Sequence, residues 1–203
     1  MIKLYAHPMS TCSRKALTAL AELEVPYELV MVDLMKGEHK QPAHLARQPF
    51  GQVPAIDDDG YWLYESRAIC RYLSAKAGDK LVPRDLKQRG KMEQWLSVEQ
   101  SNFSPAAMKF IFHHVFQRVQ EQGVLDAAKP MIEKVYEVLS KPLSQHDYLA
   151  GDTFSIADIG YMPYVEFLQV TPMKALLEKA PPVAAWWKRV SERPSWRKVA
   201  GRG

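Results

Sequence analysis

The chain opens on a short β-prone run at residues 2–6 that stops at His7-Pro8. Ser10 and Thr11 then offer hydroxyl caps before Leu17, Leu20, Ala21 and Leu23 recur at helical spacing. A second strand is predicted over 27–33, and the intervening helix makes the unit a βαβ crossover with parallel strands. Residues 37–48 are polar with little apolar periodicity. A short strand at 53–56 is followed by Asp57-Asp58-Asp59-Gly60, whose Asp-Gly step tolerates the positive φ of a tight turn, and by an antiparallel partner at 61–64. Glu65 opens a helix carrying Ala68, Ile69, Tyr72 and Leu73 that ends near Gly78.

Beyond Pro83 the pattern changes period and stays helical. Met92, Trp95, Leu96 and Glu99 mark one helix, with a kink at Phe103-Ser104-Pro105 leading to Phe110, Ile111 and Phe116. Leu125, Ala128, Ile132, Val135 and Leu139 mark the next, over 124–139. Ser155-Ile156-Ala157-Asp158 has the form of a capping box before Ile159, Met162, Val165 and Leu168, with Pro163 two turns inside marking either a kink or a helix boundary. A last helix over 182–193 buries Val183, Trp186, Trp187 and Val190. The organisation expected is a βαβ-ββα domain with a mixed four-stranded sheet at 1–77, a linker at 78–86, and an all-helical domain at 87–203.

Composition narrows the setting. The chain has 203 residues, 47% of them hydrophobic, enough for one sizeable core or two smaller ones. The basic excess of 27 over 23 is scattered with a mild concentration near the end, which suits a solvated face and not a nucleic-acid footprint. Two cysteines, Cys12 and Cys70, form neither a CxxC pair nor a zinc knuckle, so a reduced compartment is expected. The first residues lack the charged-then-apolar order of a secretory signal, and no uncharged run is long enough to span a bilayer. A cytoplasmic protein without membrane contact is the expectation.

Several strings then stand in one order: His7-Pro8-Met9-Ser10, Gly37-Glu38-His39-Lys40, Gln48-Pro49-Phe50-Gly51-Gln52-Val53-Pro54, Tyr64-Glu65-Ser66-Arg67-Ala68-Ile69, Tyr148-Leu149-Ala150-Gly151-Asp152, Ala157-Asp158, and Trp186 with Arg193-Pro194. In this the chain resembles the cytosolic glutathione transferases, most closely the phi class, with the bacterial beta class as a second likeness. The resemblance spans nearly the whole chain. It implies a thioredoxin-like first domain that holds glutathione as co-substrate, a helical second domain that selects a hydrophobic electrophile, and a homodimer. One departure is Gln48, where asparagine usually precedes Pro-Phe-Gly.

The residue types fit the ligand. Glutathione carries two carboxylates, an α-amino group and a thiol. Glu65 and Ser66 at a helix start offer a carboxylate to the amine, and a hydroxyl with main-chain N–H groups to the γ-glutamyl carboxylate. His39 and Lys40 suit the glycine carboxylate. Val53 with a cis Pro54, as the resemblance implies, presents a main-chain edge to the cysteinyl unit, and Gln52 reaches one end of the peptide. Ser10 aligns with the catalytic serine. A hydroxyl is far too weakly basic to take the thiol proton, so its role is to donate a hydrogen bond to the thiolate.

Two neighbours compete. Cys12, under a one-residue gap, resembles the cysteine of the beta class and would support a thiol transferase, reductase or peroxidase; Tyr5 resembles the residue of the tyrosine-type classes. A third reading is a non-catalytic module that kept the fold. Taken singly, Ser10 is an ordinary helix cap and Glu65-Ser66 an ordinary helix start; their combination with Val53-Pro54 is what points to glutathione. Arg14 and Arg67 are assigned to ion pairing, Asp158 to capping and Cys70 to inert core. Met9, Leu34, Met108, Phe112, His113 and Tyr164 are the expected electrophile pocket. His113-His114 diverge by about 100° on a helix with no further ligand at suitable spacing, so no metal is expected.

Overall fold

The structure, a computed structural model, describes residues 1–202. Its elements divide into two compact units, residues 1–81 with 194–203 and residues 82–193. In the first, β1 (Ile2–Ala6), α1 (Thr11–Leu23), β2 (Tyr27–Met31), α2 (Pro42–Leu45), β3 (Ala55–Asp58), β4 (Tyr61–Tyr64) and α3 (Ser66–Lys76) build a mixed sheet in the order β2-β1-β3-β4. β1 and β2 run parallel from Ile2 opposite Tyr27, because the α1 crossover returns the chain to the starting edge. β3 lies antiparallel to both β1 and β4. This is the α/β thioredoxin-like arrangement expected.

Alternation along β1 sends Ile2, Leu4 and Ala6 to one face and Tyr5 to the other. Leu4, Leu20, Ile56, Ile69 and Leu73 are all buried to 1% exposure or less, which identifies the main core of this unit, where α1 packs on α3. The strand expected at 53–56 is displaced to Ala55–Asp58. Pro54 cannot donate to a ladder, so regular pairing starts only after it. The turn shrinks to Asp59 and Gly60, both at positive φ (52° and 92°).

The far end of the hairpin is tied to α3. Asp58, buried, accepts hydrogen bonds from Tyr72 Oη at 2.5 Å and from Lys76 Nζ. The lysine bond first, and then the tyrosine bond, hold the Asp58 carboxyl below its ordinary value. The tyrosine hydroxyl, donating to a carboxylate, is pushed up to about 12. A depressed carboxylate stabilises the fold above its unfolded-state value and loses that contribution as pH falls through the folded one. Asp58→Asn is therefore expected to cost about 1–2 kcal/mol at pH 7, discounted because the lysine is half exposed. The gap from wild type in thermal unfolding should close below about pH 4.

One short helix of this unit escaped the sequence reading. α10 (Pro194–Val199) packs on α1, with Ser195 Oγ hydrogen-bonded to Glu22, so residues 194–202 join the first unit and not the helical domain expected over 87–203. An apolar groove of about 680 Å³ runs beside these two helices, lined by Leu17, Leu20, Ala21, Val25 and Val199, and contains none of the residues expected to bind glutathione.

The second unit is all helical: α4 (Leu86–Val98), a π-helical turn (Glu99–Phe103), α5 (Ser104–His114), α6 (Gln122–Leu143), α7 (Ile156–Leu168), α8 (Lys174–Glu178) and α9 (Pro181–Ser191). Where a kink is expected at 103–105, the helical path changes earlier, in the π turn, and α5 begins at Ser104 with Pro105 in its first turn. α7 is the central helix, buried at every position but Glu166, and it passes through Pro163 without a break. Phe103 packs against Tyr136, Tyr161 and Tyr164 at ring-centroid distances of 5.7, 5.2 and 6.0 Å. No helix among the described residues is long and apolar enough to cross a membrane.

Candidate functional site

The sheet registers themselves assemble the candidate site. The pairs Tyr5↔Ala55 and Ala55↔Tyr64 lie at one end of the sheet, so β1 and β4 finish, and β3 begins, at that end. Both α1 and α3 begin at this end. Three of the expected segments, 7–10, 52–54 and 65–66, thus leave or enter the sheet at this end, where two helix N-termini favour negative charge.

The turn into α1 is held by its own hydrogen bonds. Ser10 N–H donates to His7 O at 2.9 Å, Met9 N–H to His7 Nδ1 at 3.2 Å, and Arg14 Nε to Pro8 O at 2.8 Å. Arg14 therefore braces this turn. Ser10 is the N-cap, its Oγ accepting from Ser13 N–H at 3.2 Å. That bond occupies a lone pair and leaves the hydroxyl proton free to donate, the state a thiolate requires.

α3 starts differently. No side chain caps it, so its first N–H groups lack the acceptor that Ser10 supplies to α1. Ser66 is 3% exposed and its Oγ is buried without a hydrogen-bond partner. Glu65 is held at φ 71°, a region non-glycine residues occupy at a cost of about 1–3 kcal/mol, while its side chain stays exposed. An uncapped helix, an unpartnered hydroxyl and an exposed carboxylate together match an ammonium–carboxylate pair of the kind the γ-glutamyl group carries.

Between them runs the loop that precedes β3. The Val53-Pro54 bond is cis, as expected. Neither the N–H nor the C=O of Val53 hydrogen-bonds to another described residue. His39, half-buried, and Lys40, exposed, lie in a short 3-10 turn, Glu38–Lys40, and Lys40 Nζ donates to Phe50 O at 3.1 Å. Gly51, at φ 61°, is where the two segments touch: a Cβ there would lie 2.8 Å from both His39 O and Lys40 Cδ. Gly51→Ala is accordingly expected to displace His39 and Lys40 and raise the KM for glutathione about tenfold, with the KM for the electrophile unchanged in initial-rate assays.

Two residues the sequence reading left without a role complete this loop. His44 is 5% exposed and donates from Nε2 to Gln52 O at 2.7 Å; Gln48 is 1% exposed and its Oε1 accepts from Gln52 N–H at 3.0 Å. The departure from asparagine at position 48 is thus a buried main-chain contact. Nothing in the periodicity of 37–48 marks these side chains as buried.

The alternative candidates have their own surroundings. Tyr5 lies on the sheet face away from α1, its ring 5.2 Å from Trp62 and 4.7 Å beneath the Arg47 guanidinium, in a cluster with Val32, Val53 and Ala55. Leu34, expected in the electrophile pocket, packs on that same cluster. Cys12 is half-buried at the second position of α1. Cys70 is buried and its thiol is pushed up to about 12 by that burial, which keeps it a protonated core residue.

Of the other pocket expectations, Met9 is exposed and Met108, Phe112 and His113 are half-buried. Phe112 packs on Phe116 at 6.2 Å under the Arg118 guanidinium, and His113 Nδ1 accepts from Gln120 N–H at 3.1 Å. His114 beside it is lowered, chiefly by burial and then by His113. Tyr164 is corrected: at 2% exposure, edge-on to Phe103, it belongs to the core of the helical unit and offers no surface to a substrate. Among the described residues no group of three or more His, Cys, Asp or Glu side chains is arranged to hold a metal ion.

Comparison with known proteins covers both units. Residues 1–75 match the family described as glutathione S-transferase, N-terminal domain, and residues 101–194 its C-terminal domain. Glutathione S-transferase F10 of Arabidopsis thaliana is 36% identical over 100% of this chain and 97% of its own length. Glutathione transferase F7 from Populus trichocarpa superposes with a TM-score of 0.94 at 38% identity, each chain covered completely. Glutathione S-transferase I from maize, solved in complex with an atrazine glutathione conjugate, superposes with a TM-score of 0.90 at 36% identity, covering 99% of this chain and 97% of that one.

Proposed function

The chain belongs to the glutathione S-transferase family, and from that premise we propose that it is a serine-type transferase in which Ser10 holds the sulfur of glutathione as a thiolate. The thiol proton leaves to water. The sulfur lone pair then forms a carbon–sulfur bond to a hydrophobic electrophile, and a leaving group such as chloride departs with the electron pair of the bond it breaks. Ser10 keeps its proton throughout and donates it as a hydrogen bond to the developing and resting thiolate. The observation that carries this reading is the cap geometry: Ser10 Oγ already accepts from Ser13 N–H, so its own proton is the group left to give.

The rest of the tripeptide follows from the same end of the sheet. Glu65 pairs with the α-amino group, Ser66 Oγ and the α3 N-terminus with the γ-glutamyl carboxylate, the Val53 main chain with the cysteinyl unit, Gln52 with one end of the peptide, and His39 and Lys40 with the glycine carboxylate. Residues of the helical unit such as Met108, Phe112 and His113 select the electrophile. Family membership supports a homodimer, and two free cysteines suit a reducing compartment such as the cytoplasm.

Turnover of a chlorinated nitroaromatic with the Cys12→Ser and Ser10→Ala variants tests the assignment. Cys12→Ser is expected to keep its rate within about threefold, since less than 1 kcal/mol of barrier is at stake. Loss of activity in Cys12→Ser with retention in Ser10→Ala would transfer the chemistry to the cysteine.

A further inference from the structure

The main chain just before Val53 is held at both of its polar atoms by buried side chains. Gln48 Oε1 takes the N–H of Gln52 and His44 Nε2 donates to its C=O. A carbonyl has no proton to give, so Nε2 carries the hydrogen in this bond whichever state the ring is in. Around this pair the loop closes on itself: Gly51 N–H donates to Gln48 O at 2.9 Å, Gln48 N–H to His44 O at 2.9 Å, and Lys40 Nζ reaches Phe50 O. The next residue, Val53, is the one whose N–H and C=O have no such partner, and the strand resumes at Ala55.

We propose that His44 and Gln48 are positioning residues that grip the two successive peptide groups flanking the Gln52 Cα and thereby set the register at which the Val53 main chain meets the cysteinyl unit of glutathione. The proposal rests on the reading that Val53 pairs with that unit. The Gln48 bond fixes the 51–52 peptide plane through its N–H and the His44 bond fixes the 52–53 plane through its C=O; the Val53 N–H lies in that second plane, so its direction is set by two bonds from residues 1% and 5% exposed, and the Val53 C=O follows one residue on. The side chain of Gln52 is exposed and stays available to the ligand. Neither positioning residue touches the sulfur, so the grip governs how tightly and in what register the peptide sits, and leaves thiol ionisation to Ser10.

The test compares calorimetric affinities for glutathione and for glutathione methylated on the cysteinyl amide nitrogen. Wild type is expected to bind the methylated peptide about tenfold more weakly, the worth of one main-chain hydrogen bond. Gln48→Met keeps the length and volume of the side chain but has no acceptor for the Gln52 N–H. In it the discrimination should fall to about threefold or less, while the ultraviolet thiolate titration of bound glutathione is unchanged. His44→Leu removes the other end of the grip and is read the same way should Gln48→Met fail to fold. His44→Gln, whose amide also donates, should restore the tenfold ratio. A purely structural role would lower the unfolding temperature without changing that ratio, and variants that discriminate as wild type does overturn the proposal. A wild type that does not discriminate overturns instead the pairing of Val53 with the cysteinyl unit, and the grip with it.

Discussion

Replacing Ser10 by alanine is expected to raise the thiol pKa of bound glutathione by about one to two units and to lower kcat/KM toward a chlorinated nitroaromatic by about 10²–10³. A thiol near pKa 8.5 is only a few per cent ionised at neutral pH, and each unit of depression corresponds to about 1.4 kcal/mol of preference for the thiolate. One charge-assisted hydrogen bond supplies about 1.5–3 kcal/mol of that, and the α1 dipole, which alanine leaves in place, about 0.3–1 kcal/mol. The variant also loses the cap on Ser13 N–H, a stability cost of about 1 kcal/mol that does not alter the titration. The measurement is the ultraviolet absorbance of the bound thiolate against pH in both proteins. Superimposable titrations would remove Ser10 from the chemistry.

The largest effect on stability is expected at Asp158. It is fully buried and accepts four hydrogen bonds: Leu149 N–H at 3.0 Å and Trp186 Nε1 at 2.8 Å on one oxygen, Ser155 N–H at 2.9 Å and Ser155 Oγ at 3.1 Å on the other. One carboxylate so joins the start of α7, the segment before it and α9. Asp158→Ala leaves those donors buried without an acceptor and is expected to cost about 3–5 kcal/mol, lowering the unfolding temperature by roughly 10 °C. Asp158→Asn keeps one oxygen for Leu149 and Trp186 but turns an NH₂ toward Ser155 N–H, so it should fall between alanine and wild type. Burial pushes the Asp158 carboxyl up, more than its hydrogen bonds pull it down. The folded state therefore binds that proton more tightly than the unfolded one, and wild type sheds stability as pH rises from about 4 through the raised value, a slope that Asp158→Ala should lack. Thermal unfolding followed by circular dichroism from pH 3 to 8 reads both effects, and an alanine variant within 1 kcal/mol of wild type would contradict them.

How much of this was legible in the chain varied with the range of the interaction. The capping box at Ser155 and Asp158 was readable because both partners lie within one turn, yet Trp186 Nε1 on the same carboxylate comes from 28 residues away. The strands at 2–6 and 61–64 and the parallel crossover followed from local pattern. The strand at 53–56 was misplaced because a proline inside a β-prone run says that pairing is interrupted without saying on which side it resumes. α8 and α10, five and six residues long, are too short for a periodic window to register. Pro130, Pro142 and Pro163 sit within helices that continue past them, because packing of the long apolar faces outweighs one lost N–H each.

The same division runs through the site. Amino-acid order alone determined the order of the strands and longer helices, the family resemblance and the candidates Ser10, Val53, Glu65 and Ser66, because each belongs to a contiguous string whose function depends on local chain geometry. Tertiary structure decided the rest. It put Tyr5 and Leu34 into an aromatic cluster and Tyr164 into core, left Ser66 Oγ buried without a partner, and made His44 and Gln48 the clamp on Gln52. Burial and hydrogen-bond satisfaction are properties of what surrounds a side chain in space, and residue order contains no direct record of those surroundings.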